Sequence, residues 1–82
     1  MSKLSIGNIL RNMRMSNTTL SQKELGKLLS LSDTTISSYE RENSQPDFNT
    51  IVNIANICDY DLRLYNRKTK QFISLKYFSK EL

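Results

Sequence analysis

Ser21-Gln22-Lys23-Glu24-Leu25-Gly26-Lys27-Leu28-Leu29-Ser30-Leu31-Ser32-Asp33-Thr34-Thr35-Ile36-Ser37-Ser38-Tyr39-Glu40 contains two helix starts in close succession. Ser21 and Glu24 have the spacing of a capping box, in which the serine hydroxyl accepts the N–H of Glu24 and the carboxylate accepts the N–H of Ser21. Leu20 and Leu25 stand at the two staple positions around that box. Leu25, Leu28 and Leu29 then give a short helix an apolar side that ends near Ser30. Ser32 starts the next helix in the same manner, with Leu31 before the cap and Ile36 at the matching staple position. Only about two residues separate the helices, so they must cross steeply and a small residue is needed where they meet. Gly26, one turn into the first helix, is the expected contact point, because glycine inside a helix costs about 1 kcal/mol relative to alanine and needs a packing reason.

Working outward, Ser5 can cap an upstream helix whose apolar face is Ile6, Ile9, Leu10 and Met13, fading over the polar residues 16–19. Downstream, Pro46 breaks the chain, and Asp47 can cap a fourth helix with Phe48, Ile51, Val52, Ala55 and Cys58 on one face. Ile54 and Ile57 fall off that stripe and give the helix a second apolar edge. Past Asp61 the period changes. Leu62 and Leu64 alternate with Arg63 and Tyr65, and polar residues 66–71 separate them from Phe72-Ile73-Ser74-Leu75-Lys76-Tyr77-Phe78. Two strands joined by a short basic loop fit best, although Phe72, Leu75, Phe78 and Leu82 could also lie on one side of a helix. The expected organisation is a helical domain over residues 1–61 and a C-terminal extension over residues 62–82.

With 82 residues, one compact core is expected. The chain has no long apolar run, so neither a secretory signal nor a membrane span can be placed, and a soluble, cytoplasmic protein is expected. The single cysteine, Cys58, cannot build a disulfide framework and reads as a small core side chain. There is no histidine, no nucleophile with an acid/base partner and no phosphate-cradling glycine loop, so enzymatic chemistry, a metal site and a cofactor are not expected. Net charge is +4, with cations at both ends and acids in the middle. That distribution suits a polyanion partner and suits solvated surface charge equally well.

Gln22, Leu25, Gly26, Leu29, Leu31, Ile36 and Tyr39 together resemble the helix-turn-helix motif of the Cro/repressor family, also called the xenobiotic-response-element type. Arg14, Glu40 and the run Tyr39-Glu40-Arg41-Glu42-Asn43-Ser44-Gln45-Pro46 ahead of a fourth amphipathic helix follow the same pattern, so the resemblance covers residues 6–62. It implies a mainly α, four- to five-helix, lambda-repressor-like DNA-binding domain, here ending in a β-hairpin or strand. Two positions depart from it. Ser30 stands where the family favours a turn glycine, and Glu42 replaces the glycine after the third helix. Either those backbones differ, or neighbouring Asn43 takes the left-handed conformation.

If Ile36 points inward, a rotation of 100° per residue puts Thr34, Ser38 and Arg41 on the far side, with Asp33 and Ser37 at the edges. That polar face is narrow enough for a major groove about 12 Å wide. The resemblance carries base contacts onto Asp33, Thr34 and Ser38, and a phosphate contact onto Gln22 at a helix start. Lys23, Ser32, Ser37, Arg41, Asn43, Ser44 and Gln45 are the further expected backbone contacts. Glu40 lies about 40° from Ile36, on the inward side. By resemblance Arg14 pairs with it. One such motif reads few base pairs, so a homodimer on a palindromic operator is expected, joined through Ile54, Ile57, Leu62 and Leu64. The leading function is a transcriptional regulator, as a repressor. The alternative is an antitoxin that binds a toxin protein while repressing its own operon, so a toxin or anti-repressor is a possible protein partner. For the loop cations Arg67, Lys68 and Lys70, solvated charge is the simpler reading and a reach to DNA the other.

Overall fold

The computed structural model describes residues 4–78. Four helices, α1 (Ile6–Ser16), α2 (Gln22–Leu29), α3 (Asp33–Glu40) and α4 (Phe48–Ile57), are followed by strands β1 (Arg63–Asn66) and β2 (Gln71–Ser74). Each helix opens on a side-chain cap: Ser5, Ser21, Ser32 and Asp47 accept the N–H groups of Asn8, Glu24, Thr35 and Thr50. At Ser21 the capping box is complete, since Glu24 also accepts the N–H of Ser21 at 2.8 Å. Local polar chemistry therefore sets where every helix starts.

The ends of α2, α3 and α4 share one device. At α2 the N–H groups of Ser30 and Leu31 reach the carbonyls of Lys27 and Gly26. At α3 those of Glu42 and Asn43 reach Tyr39 and Ser38, and at α4 those of Asp59 and Tyr60 reach Asn56 and Ala55. This is the paired pattern that closes a helix through one left-handed residue. Those residues are Ser30 (φ 59°), Glu42 (φ 64°) and Asp59 (φ 63°). Asn43 does not take that conformation. Both positions where the family favours glycine are left-handed here and carry an L side chain, at a cost of roughly 1–2 kcal/mol for an L-residue in this region.

Leu10, Met13, Leu25, Ile36, Ile54, Ala55 and Cys58 form one buried cluster drawn from all four helices and the end of α4. Ile6, Ile9, Leu20, Leu29, Leu31, Tyr39, Ile57 and Leu62 pack around it. Burial pushes the Cys58 thiol pKa up, which suits an inert core group. Three expectations need correction. Ile54, assigned to a free second edge of α4, is only 1% exposed and sits in the core, because α4 is flanked by both α1 and α2 and buries a wider arc than one stripe. Phe48, expected on the core face, is 46% exposed and meets the Phe78 ring edge-on at 4.9 Å. Leu28 is exposed, because the short α2 turns Leu25, Gly26 and Leu29 inward.

Steep crossings depend on two glycines. A Cβ on Gly26 would stand 2.6 Å from the Leu31 carbonyl oxygen, where the turn passes over α2. A Cβ on Gly7 would stand 2.5 Å from the Glu40 carbonyl oxygen, where α1 crosses the end of α3. The second contact was not anticipated from the sequence, where a glycine in the first turn of a helix carries little signal.

After Asp61 the chain forms an antiparallel hairpin, pairing Arg63 with Ser74, Leu64 with Ile73, Tyr65 with Phe72 and Asn66 with Gln71. This decides for a strand over the alternative helix at residues 71–74; Leu82 lies outside the described residues. All eight strand residues are exposed. The hairpin is an arm on the helical body, anchored at its base by Leu62, by a bond from the Leu75 N–H to the Leu62 carbonyl, and by Asn56 donating to the Lys76 carbonyl.

Candidate nucleic-acid interface

The turn between α2 and α3 holds α3 by its buried side, so its other side is presented outward. Ile36 is buried and Tyr39 half-buried, while Asp33 and Thr34 are exposed and Ser38 half-buried. Ser38 Oγ lies 2.8 Å from Ser44 Oγ, tying a side chain of the outer face to the loop that follows α3. Asp33 Oδ1 accepts the N–H of Thr34, and Ser32 both caps α3 and meets Thr35 Oγ1 at 2.9 Å. On the outer face, neighbours hold the Asp33 and Ser38 side chains, and the Thr34 side chain beside them is exposed.

Beneath it lies a charged network. Arg14 donates to both carboxylate oxygens of Glu40, from Nε at 2.7 Å and Nη2 at 3.0 Å, and its Nη1 donates to the Leu20 carbonyl at 3.0 Å. The side chains are only 11% and 6% exposed. Gln22 Nε2 also donates to Glu40 Oε1, at 3.1 Å. Burial alone would raise the Glu40 pKa; the hydrogen bonds from Arg14 and Gln22 and the Arg14 charge outweigh it, and the carboxyl is held below its ordinary value. Arg14 is correspondingly raised, first by its bond to Glu40. One guanidinium thus ties α1, the segment before α2 and the end of α3 together. Through Glu40 it also fixes the Gln22 amide, leaving that amide's second N–H for another acceptor.

The remaining polar positions surround this core of the site. Lys23, Arg41, Asn43, Ser44 and Gln45 are exposed and Ser37 is half-buried. Lys23 lies in the first turn of α2, and the others lie on α3 or in the loop leaving it. The sequence reading did not anticipate the Gln22–Glu40 and Ser38–Ser44 links. Neither has a sequence signal, because each pairs side chains whose separation is set by the crossing of helices or by a loop.

Ile57 and Leu62 are half-buried against the core, and Leu64 is 57% exposed on the arm. Among the described residues no cluster of His, Cys, Asp or Glu could hold a metal ion. No described helix is long and apolar enough to cross a membrane.

A short helix laid across another and turned polar side outward defines a helix-turn-helix unit of the kind that enters a DNA groove. The helix-turn-helix family model HTH_3 matches residues 10–65, from the middle of α1 into β1, and the chain belongs to this family, the Cro/repressor type. No curated protein and no solved structure gives a match to it. The family is one of DNA-binding transcriptional regulators and not of enzymes, and the chain is a DNA-binding regulator of that class.

Proposed function

We propose that the protein is a repressor that binds a palindromic operator as a homodimer in the cytoplasm, laying α3 of each copy in the major groove. The outward polar face of α3, free of any large apolar group, carries this reading. Asp33, Thr34 and Ser38 read base edges, with cytosine N4 the natural donor to Asp33. Gln22, Lys23, Ser32, Ser37, Arg41, Asn43, Ser44 and Gln45 hold phosphates on either side of the helix. The dimer is joined through Ile57 at the end of α4 and through Leu62 and Leu64 of the C-terminal extension, which spaces two helices for half-sites about 34 Å apart.

Titration of variants on a selected and a scrambled duplex tests the assignment. Gln22→Ala is expected to weaken binding to both, whereas Thr34→Ala and Ser38→Ala change which sequence is preferred. Equal losses on both duplexes for Ser38→Ala would remove it from the readers. The exposed apolar side chains of the arm also support a second reading, an antitoxin whose C-terminal segment holds a toxin protein. Stable monomers that dimerise only with a co-expressed neighbour would favour it over the repressor.

A further inference from the structure

Residues 1–61 carry six Lys/Arg against seven Asp/Glu, whereas residues 62–78 carry five Lys/Arg and no carboxylate. The whole positive balance of the chain, +4, therefore comes from the arm. A helix-turn-helix body that is itself slightly acidic gains little long-range attraction to a duplex bearing one negative charge per about 1.7 Å.

The tip of the arm is a built structure rather than a loose loop. The Asn66 carbonyl accepts the N–H of Lys70 at 2.8 Å, and Asn66 Oδ1 accepts those of Lys68 at 3.0 Å and Thr69 at 3.2 Å. Lys70 closes the turn with φ 65°. Arg67, Lys68, Thr69 and Lys70 contain no apolar group apart from their stems. Among the described residues none of the three cations lies within 4.0 Å of a carboxylate, whereas Arg63 at the base is paired with Asp61 at 2.6 Å. The arm also leaves the body at a suitable place. Asn17 Nδ2 donates to the Cys58 and Asp59 carbonyls, both at 3.2 Å, fastening the segment that leads into β1 to the end of α1. A five-residue link, 17–21, joins that same end of α1 to the N-terminus of α2, where Gln22 stands. A hairpin of this length projects roughly 15 Å.

We infer that the arm is a DNA-contacting wing, in which Arg67, Lys68 and Lys70 grip phosphates flanking the stretch read by α3. This rests on the duplex-binding reading of α3 and adds a second, sequence-independent contact to it. Two tips docking on each other would oppose like charges, whereas a phosphate backbone supplies the missing counter-charge. The apolar pairs of the strands, Leu64 with Ile73 and Tyr65 with Phe72, remain available to a second copy.

The test is a combined Arg67→Gln, Lys68→Gln, Lys70→Asn variant, asparagine being tolerant of the left-handed turn position. Dissociation constants are measured on the selected and scrambled duplexes between 50 and 200 mM salt. The slope of log affinity against log salt is expected to become shallower by about 0.9 for each phosphate released, about 2.7 for three. The loss should be equal on both duplexes, and the preferred sequence unchanged. Lys27→Gln, on the exposed side of α2, controls for net charge. A slope change no greater per charge than that of Lys27→Gln overturns the inference. So does a lower oligomeric state of the triple variant by light scattering, which would make the tip a protein interface. If the triple variant behaves as expected while Gln22→Ala binds normally, the phosphate role of α2 fails and the wing stands; the reverse pattern overturns the wing alone.

Discussion

The helical body and the arm are built on opposite terms. In the body, eight apolar side chains are almost fully withdrawn from water, and its most buried carboxylate is paired twice over. In the arm no strand residue is buried, and Leu64, Tyr65, Phe72 and Ile73 are all about half exposed or more. A two-stranded hairpin is marginal in water by itself. This one is held by contacts local to it: Tyr65 against Phe72 at 4.9 Å, the Arg63 guanidinium over the Phe72 ring at 5.0 Å, and the Asp61 bonds to Arg63 and Ser74. The contrast teaches that the body is organised to hold itself together around a core, whereas the arm leaves its apolar and cationic side chains in solvent.

That contrast is open to direct attack. Arg14→Met should have the largest effect on stability, a loss of roughly 3–5 kcal/mol in a denaturant melt, since it leaves Glu40 buried without its counter-ion. The same pair sets an acid limb. Because the folded Glu40 pKa is depressed, its contribution is fully present above the ordinary carboxylate value of about 4.3 and is lost as pH falls through the lower folded value. Melts from pH 6 downward should show that decline in the wild type and a weaker one in Arg14→Met; equal slopes would detach Glu40 from acid unfolding. Next in size, Gly26→Ala should cost about 1–3 kcal/mol by forcing the turn off α2, read again from the denaturant midpoint.

Ser30→Gly should act in the other direction, raising stability by roughly 0.5–1 kcal/mol as it relieves a left-handed serine. No gain would mean that the serine is not strained there. Smallest of all for the fold, Ile73→Ser on the arm should leave the melt within about 0.5 kcal/mol. It should nevertheless lower the mass seen by light scattering at micromolar concentration. A large loss of stability with unchanged mass would show that the arm belongs to the body after all.

Much of this protein could be read from residues that act on their near neighbours. Ser5, Ser21, Ser32 and Asp47 start their helices through bonds spanning three residues, so the four starts are written in the chain itself. The inward position of Ile36 and the polar face opposite it follow from helical rotation alone. The tertiary structure decided what depends on distant segments meeting. It placed Ile54 in the core by flanking α4 with two helices, and required Gly7 to be small because the end of α3 passes over it. It joined Gln22 to Glu40 across 18 residues and kept Ser30 and Glu42 left-handed without glycine. Periodicity reports one face of one helix, whereas burial on a second face, strain at a cap and a shared carboxylate arise only when several elements pack at once.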